Sequence, residues 1–244
     1  MCTGLGRVYL GLHGFRISTS AVPFMNDTPP FSCRLDHLVV TAVSCESGVD
    51  WLAKRCGITL PPGGAHPLMA THNHVSALAV DQFLEVIATD PQAPAPAHKR
   101  WFALDDAAHQ RLLSGSPMLT TWVVATDNLD QALSTARAAG VDPGQPVTLT
   151  RDDLTWRLAL IDDGSLAFGG TFPILIEWPP GVNPVDRMQD QGIRLDKLTV
   201  VHPDHEKLNR AFHALGISTL ATVQNGPVAL CADMHAGNQS FQLN

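Results

Sequence analysis

The sequence has no CxxC pair, no run of like charge and no apolar run approaching the ~18 residues of a membrane span. Each absence removes a class of protein. Five cysteines, Cys2, Cys33, Cys45, Cys56 and Cys231, form an odd set without metal-clip spacing, which fits small unreactive thiols in a reducing compartment. A formal net charge of -7 leaves no clustered Lys and Arg for nucleic acid or an anionic membrane. The expected partners are therefore a small-molecule substrate and a second copy of the chain, as a homodimer, in a cytoplasmic setting. What is present is a 45% hydrophobic chain of 244 residues, long enough to bury a sizeable core.

The chain reads as one pattern used three times. LDHLVVTAV, from Leu35, is a Val-rich alternating strand. A helix over Ser47–Cys56 follows, stopped by Gly57, and then ITL, the turn PPGG and the strands THNHVSAL and FLEVIA. The order βαβββ recurs from MLTTWVVAT to PILIEW, with an Ala-rich helix over Leu129–Ala139, and again from LDKLTVV, with a helix over His205–Leu215. RLDHLVV and RLDKLTVV match almost letter for letter. These repeats predict an α+β fold in which βαβββ modules form curved mixed sheets around a cleft. Modules are expected at 34–90, 118–180 and 194–244, with a stiff Pro-rich linker over 91–117. Residues 1–33 read as a leader, disordered or a mis-assigned start, because Met25 opens MNDTPPFSCRLDHLVV just ahead of the first strand.

LDHLVV, GG-x-HP, THN, FLEV and the later LTWRL and PILIEW resemble the glyoxalase-like domain family of the vicinal oxygen chelate superfamily. The resemblance covers roughly residues 34 to 244. It implies paired modules, each offering a ligand from its first strand and a Glu from its last. The first module keeps both, as His37 and Glu85. The second has Thr121 or Thr120 and Glu177, and the third Lys197 and Gln242. A second ligating His is thus absent, a departure from the four-ligand octahedral set.

Strand alternation supplies a separate check. His37, Val39 and Thr41 share one face of their strand and Asp36, Leu38 and Val40 the other. With first and last strands adjacent, as the resemblance implies, His37 and Glu85 meet on the concave face. The THNH strand then brings either His72 and His74 or Asn73 to that carboxylate. The metal set read here is His37, Glu85 and His72, holding a divalent ion (Zn, Ni, Mn or Fe) that polarises a substrate with vicinal oxygens. Glu177 is a third ligand across the cleft or a general base. His66, in the turn after Gly63-Gly64, is a hydrogen-bond donor or acid over the substrate, or else a cap of that turn. Asn73, Trp156 and Arg157 are the substrate-binding candidates, Arg157 through a carboxylate or phosphate if it faces inward. The function expected is a metal-assisted lyase or isomerase on a small molecule. A metal-free binding protein and an extradiol-type dioxygenase are the alternatives.

Overall fold

The computed structural model describes residues 29–151 and 153–244. Most of the expected leader lies outside the described residues. Its last residues do not behave as a leader, since Phe31 is buried in the core and Ser32 bonds the Asp127 carboxylate through both its backbone N–H and its hydroxyl.

The first module comprises β1 (Cys33–Thr41), α1 (Cys45–Cys56), β2 (Pro62–His66), β3 (Thr71–Ala79) and β4 (Gln82–Thr89). A helix, α2 (Ala107–Gly115), lies within the linker, where sequence reading gave only a spacer. Asp106 starts it by accepting from the His109 N–H. The second module holds β5 (Met118–Thr126), α3 (Leu129–Ala138), β6 (Gln145–Arg151), β7 (Leu154–Leu160) and β8 (Ile174–Glu177). Together these strands form one eight-stranded curved sheet in the order β2-β3-β4-β1-β5-β8-β7-β6. Within each module the first and last strands run parallel, and β1 and β5 join the modules antiparallel. The fold class is the one expected from the repeats.

The two faces of this sheet have different neighbours. On the helix side Leu38, Val40, Leu84, Val86, Trp122 and Leu175 pack with α1 and α3. The buried Trp122 satisfies its indole N–H on the Thr171 carbonyl at 3.1 Å. On the concave side Val39, Ile87, Val123, Ile174, Ile176, Trp156 and Leu158 pack with Trp101, Phe102, Leu104 and Leu113 from the linker. Every strand therefore carries two alternating sets of residues, one per layer.

The third repeat, β9 (Ile193–Val201), α4 (His205–Ala214), β10 (Thr222–Gln224), β11 (Ala229–Ala236) and β12 (Gln239–Leu243), keeps the element order but not the pairing. Its strand order is β10-β9-β11-β12, so β9 lies between β10 and β11 instead of beside the last strand. Near-identity of RLDHLVV and RLDKLTVV specifies a strand and its buried side, and does not choose the strand's neighbours. Leu198, Val200, Leu230, Ala232, Met234 and Leu243 join the core on the helix side. The third repeat thus packs behind the sheet, away from the concave face.

Helix α1 is held close to β4. Ser44 and Ser47 cap its start reciprocally, and Gly57, at φ 71°, ends it. At the contact stands Gly48, where a Cβ would collide with Val86 Cγ1. Gly48→Val is expected to lose about 1–3 kcal/mol of stability through overpacking, read as a lowered Tm, and an unchanged or raised Tm would contradict this packing.

Candidate functional site

A β-bulge shapes the centre of the concave face. In the β1–β5 ladder Leu35 opposes Val124 and His37 opposes Val123, so Asp36 is an extra residue on β1. Simple alternation would send Asp36 to the helix side. The bulge instead turns it to the same side as His37, and Asp36 Oδ1 bonds His37 Nδ1 at 2.6 Å. Asp36 is fully buried, and its Oδ2 accepts from the Trp178 indole at 3.0 Å with the Arg34 guanidinium 3.6 Å away. His37 lies flat on Phe83, with ring centroids 4.2 Å apart.

The other face of this imidazole's chemistry is Glu85. Its Oε2 lies 3.6 Å from His37 Nε2, and its Oε1 accepts from Asn73 Nδ2 at 2.6 Å. Asn73 Oδ1 in turn accepts from the Gly64 N–H at 2.8 Å. His37 and Glu85 are only 6% and 5% exposed, so these bonds serve groups that burial would otherwise penalise. The tandem glycines permit the approach, because a Cβ on Gly63 would overlap the Asn73 side chain.

His66 closes the opposite end. It is buried; its Nδ1 lies 3.2 Å from the Thr71 hydroxyl, and its Nε2 accepts from the Arg151 guanidinium at 3.2 Å. Burial first, and then the Arg151 charge, push His66 down to about 3. The imidazole is therefore neutral, and both its nitrogens are engaged. Between these ends Trp101, Phe102, Trp156, Trp178 and Met188 wall a cleft of about 60 Å³, room for several waters at ~10–15 Å³ each.

The structure brings His37, Glu85, Asn73, Trp156 and His66 to this cleft and leaves four expected candidates outside it. His72 and His74 take the helix side of β3 with Leu78, because Asn73 and Val75 take the cleft side. His74 Nδ1 donates to the Leu60 carbonyl at 2.8 Å, while His72 Nε2 is buried without a partner among the described residues. Glu177 and Arg157 fall on the helix side because Trp156, Leu158, Ile176 and Trp178 occupy the concave positions of β7 and the β8 end. There Arg157 donates to Glu177 at 2.9 Å and to both Asp130 oxygens, and Glu177 accepts from the Leu129 N–H at the start of α3. The expected acid role of His66 meets a plain obstacle, since neither ring nitrogen is free to give a proton to a substrate. Sequence reading missed Asp36, Arg151 and Trp178. Arg151 shares strand parity with the buried Leu149, which was the available signal.

A divalent ion would find two convergent donors here, His37 Nε2 and Glu85 Oε2. The third expected donor, His72, faces the other layer, and the Asn73 oxygen is turned to Gly64. Among the described residues no group of three His, Cys, Asp or Glu side chains could hold a metal ion. This donor set falls short of the three protein ligands that catalytic divalent sites commonly use.

Paired βαβββ modules curling one sheet around a cleft are the architecture of the vicinal oxygen chelate superfamily. Residues 35–216 match the glyoxalase-like domain family, and the chain belongs to that family. A hypothetical protein from Staphylococcus aureus shares the fold with a TM-score of 0.51 at 13% identity, covering 86% of this chain and 85% of that one. Methylmalonyl-CoA epimerase from Mycobacterium tuberculosis aligns with a TM-score of 0.39 at 16% identity, over 60% of this chain and 88% of its own. No curated protein matches the chain. Among the described residues no helix is long and apolar enough to cross a membrane.

The His66 geometry carries a pH dependence. A histidine held below its ordinary 6.5 contributes stability that is complete above that pH and is lost as pH falls toward about 3. Between pH 7 and pH 5 the wild type is expected to lose about 2 kcal/mol more than His66→Gln in urea unfolding. Parallel losses in the two proteins would contradict a neutral, enclosed His66.

Proposed function

We propose that this glyoxalase-like protein is a small-molecule isomerase or lyase that moves a proton at carbon next to a carbonyl. The single observation that carries the reading is the convergence of His37 Nε2 and Glu85 Oε2 at 3.6 Å inside an aromatic-walled cleft. Asp36 occupies Nδ1, which leaves Nε2 as the working nitrogen of the ring. Asn73 occupies one Glu85 oxygen and leaves the other facing His37. The proposed step starts with a proton on His37 Nε2 and an ionised Glu85, 3.6 Å apart. Glu85 takes the substrate's C–H proton and His37 gives its own to the carbonyl oxygen, producing an enol between the two transfers. Where the reacting carbon also bears a hydroxyl, Glu85 returns the proton to the former carbonyl carbon while His37 takes that hydroxyl's proton, which gives an isomer. Expulsion of a neighbouring group instead gives a lyase product. Trp156 and Trp178 exclude water around the developing charge.

A metal-free binding protein is the second reading, favoured by the aromatic walls and by the framework bonds that hold Asn73 and Asp36. Proton NMR in D2O separates the two across a panel of small carbonyl compounds. The enzyme reading expects protein-dependent loss of a C–H signal next to the carbonyl, slowed at least about a hundredfold in Glu85→Gln. Binding without exchange by any compound, or exchange unaltered in Glu85→Gln, would leave the binding reading in its place.

A further inference from the structure

Arg151 is a half-buried cation in the cleft wall with one hydrogen bond among the described residues, to a neutral acceptor. Its Nη1 donates to His66 Nε2, and its guanidinium lies 5.9 Å over the Trp156 ring. Among the described residues no carboxylate stands within 4 Å of it, while the other cleft charges, Asp36 and Glu85, have partners elsewhere. A guanidinium offers five N–H donors in a planar fork, and His66 takes one. A half-buried cation with an unused fork costs free energy until an anion arrives.

Two further observations point to the same place. Trp101, which meets His66 edge-on at 5.0 Å and lines the cleft, is 4% exposed. Its indole N–H is buried without an acceptor among the described residues. Gly64 gives the second. A Cβ there would lie 2.9 Å from Arg151 Nη1, and the N–H of the same residue holds Asn73, which holds Glu85. The cation and the carboxylate are therefore both built against one residue of β2, and both line the same cleft.

The geometry points to Arg151, with Trp101 beside it, as an oxyanion-binding subsite, so that the substrate is a small carbonyl compound bearing a carboxylate or a phosphate. The inference rests on the reading of the cleft as a substrate site and adds the substrate's chemical class. His66 is the positioning residue. Being neutral, it accepts from one edge of the guanidinium and leaves the fork's remaining donors to the ligand, where an acidic partner would have neutralised the cation.

Binding is read by quenching of the cleft tryptophans with three probes that share a phenyl group: phenylacetate, phenyl phosphate and neutral phenylacetamide. Wild type is expected to hold at least one anion about ten-fold tighter than the amide, since a charge-assisted pair exceeds a neutral one. Whichever anion is tighter names the source, carboxylate or phosphate. Arg151→Gln should abolish the preference and keep amide binding, Arg151→Lys should keep part of it, and Trp101→Phe should lower it about five-fold. Glu85→Gln should retain the preference even where proton exchange is lost, which separates failure of this subsite from failure of the proposed chemistry. Equal binding of the three probes, a preference that survives Arg151→Gln, or no binding of any probe would overturn the assignment.

Discussion

The hydrogen bond between Asp36 and His37 organises the cleft, and it exists because β1 carries one residue too many opposite β5. Without the bulge, adjacent residues on a strand point to opposite layers and an Asp-His pair at consecutive positions cannot form. With it, a fully buried carboxylate fixes one nitrogen of His37 and, through Trp178, ties the end of the second module to the first. Two carboxylates and an imidazole in one buried network are tolerable only when each keeps its partners, because removing one leaves a charge uncompensated. The chain from Trp178 through Asp36, His37, Glu85 and Asn73 to Gly64 meets that condition across four strands and the residue that follows β8, with a wider gap only between His37 and Glu85.

Division of the sheet into two layers explains what each repeat contributes. The first module supplies His37 and Glu85 from β1 and β4, the second supplies Trp156, Leu158 and Arg151, and the linker closes the cleft with Trp101 and Phe102. The third repeat fills the other layer, where Phe212 of α4 meets Trp122 edge-on at 5.5 Å. Burial in that layer also pushes the Cys45 thiol up to about 12 and the Cys33 thiol to about 11, which fits cysteines used for packing.

The fold was legible because repeated strand-helix-strand patterns with Gly stops leave few alternatives, and His37 and Glu85 stood out as polar residues on apolar strands. Period-two reasoning then reached its limit. It assigned Asn73 and His72 to opposite layers without saying which faced Glu85, and the choice fell to Asn73 because Leu78, of His72's parity, belongs to the helix-side core. It misplaced Asp36, since a bulge leaves no mark that alternation can detect. Glu177 and Arg157 were conspicuous charges, yet Trp156 and Arg157 are neighbours on one strand and only one could face the cleft. Once the large aromatic takes the concave layer, the arginine goes to α3 and its acidic residue.

The proposed chemistry of the cleft hangs on a ring whose Nδ1 is engaged from behind by Asp36. Nitrogen-15 NMR of histidine-labelled protein measures that directly, with Asp36→Asn as the comparison. The account predicts a His37 Nδ1–H that is strongly deshielded by its short bond to Asp36 and moves upfield in the variant. A bare Nδ1 in the wild type, or a His37 signal indifferent to Asp36→Asn, would contradict it.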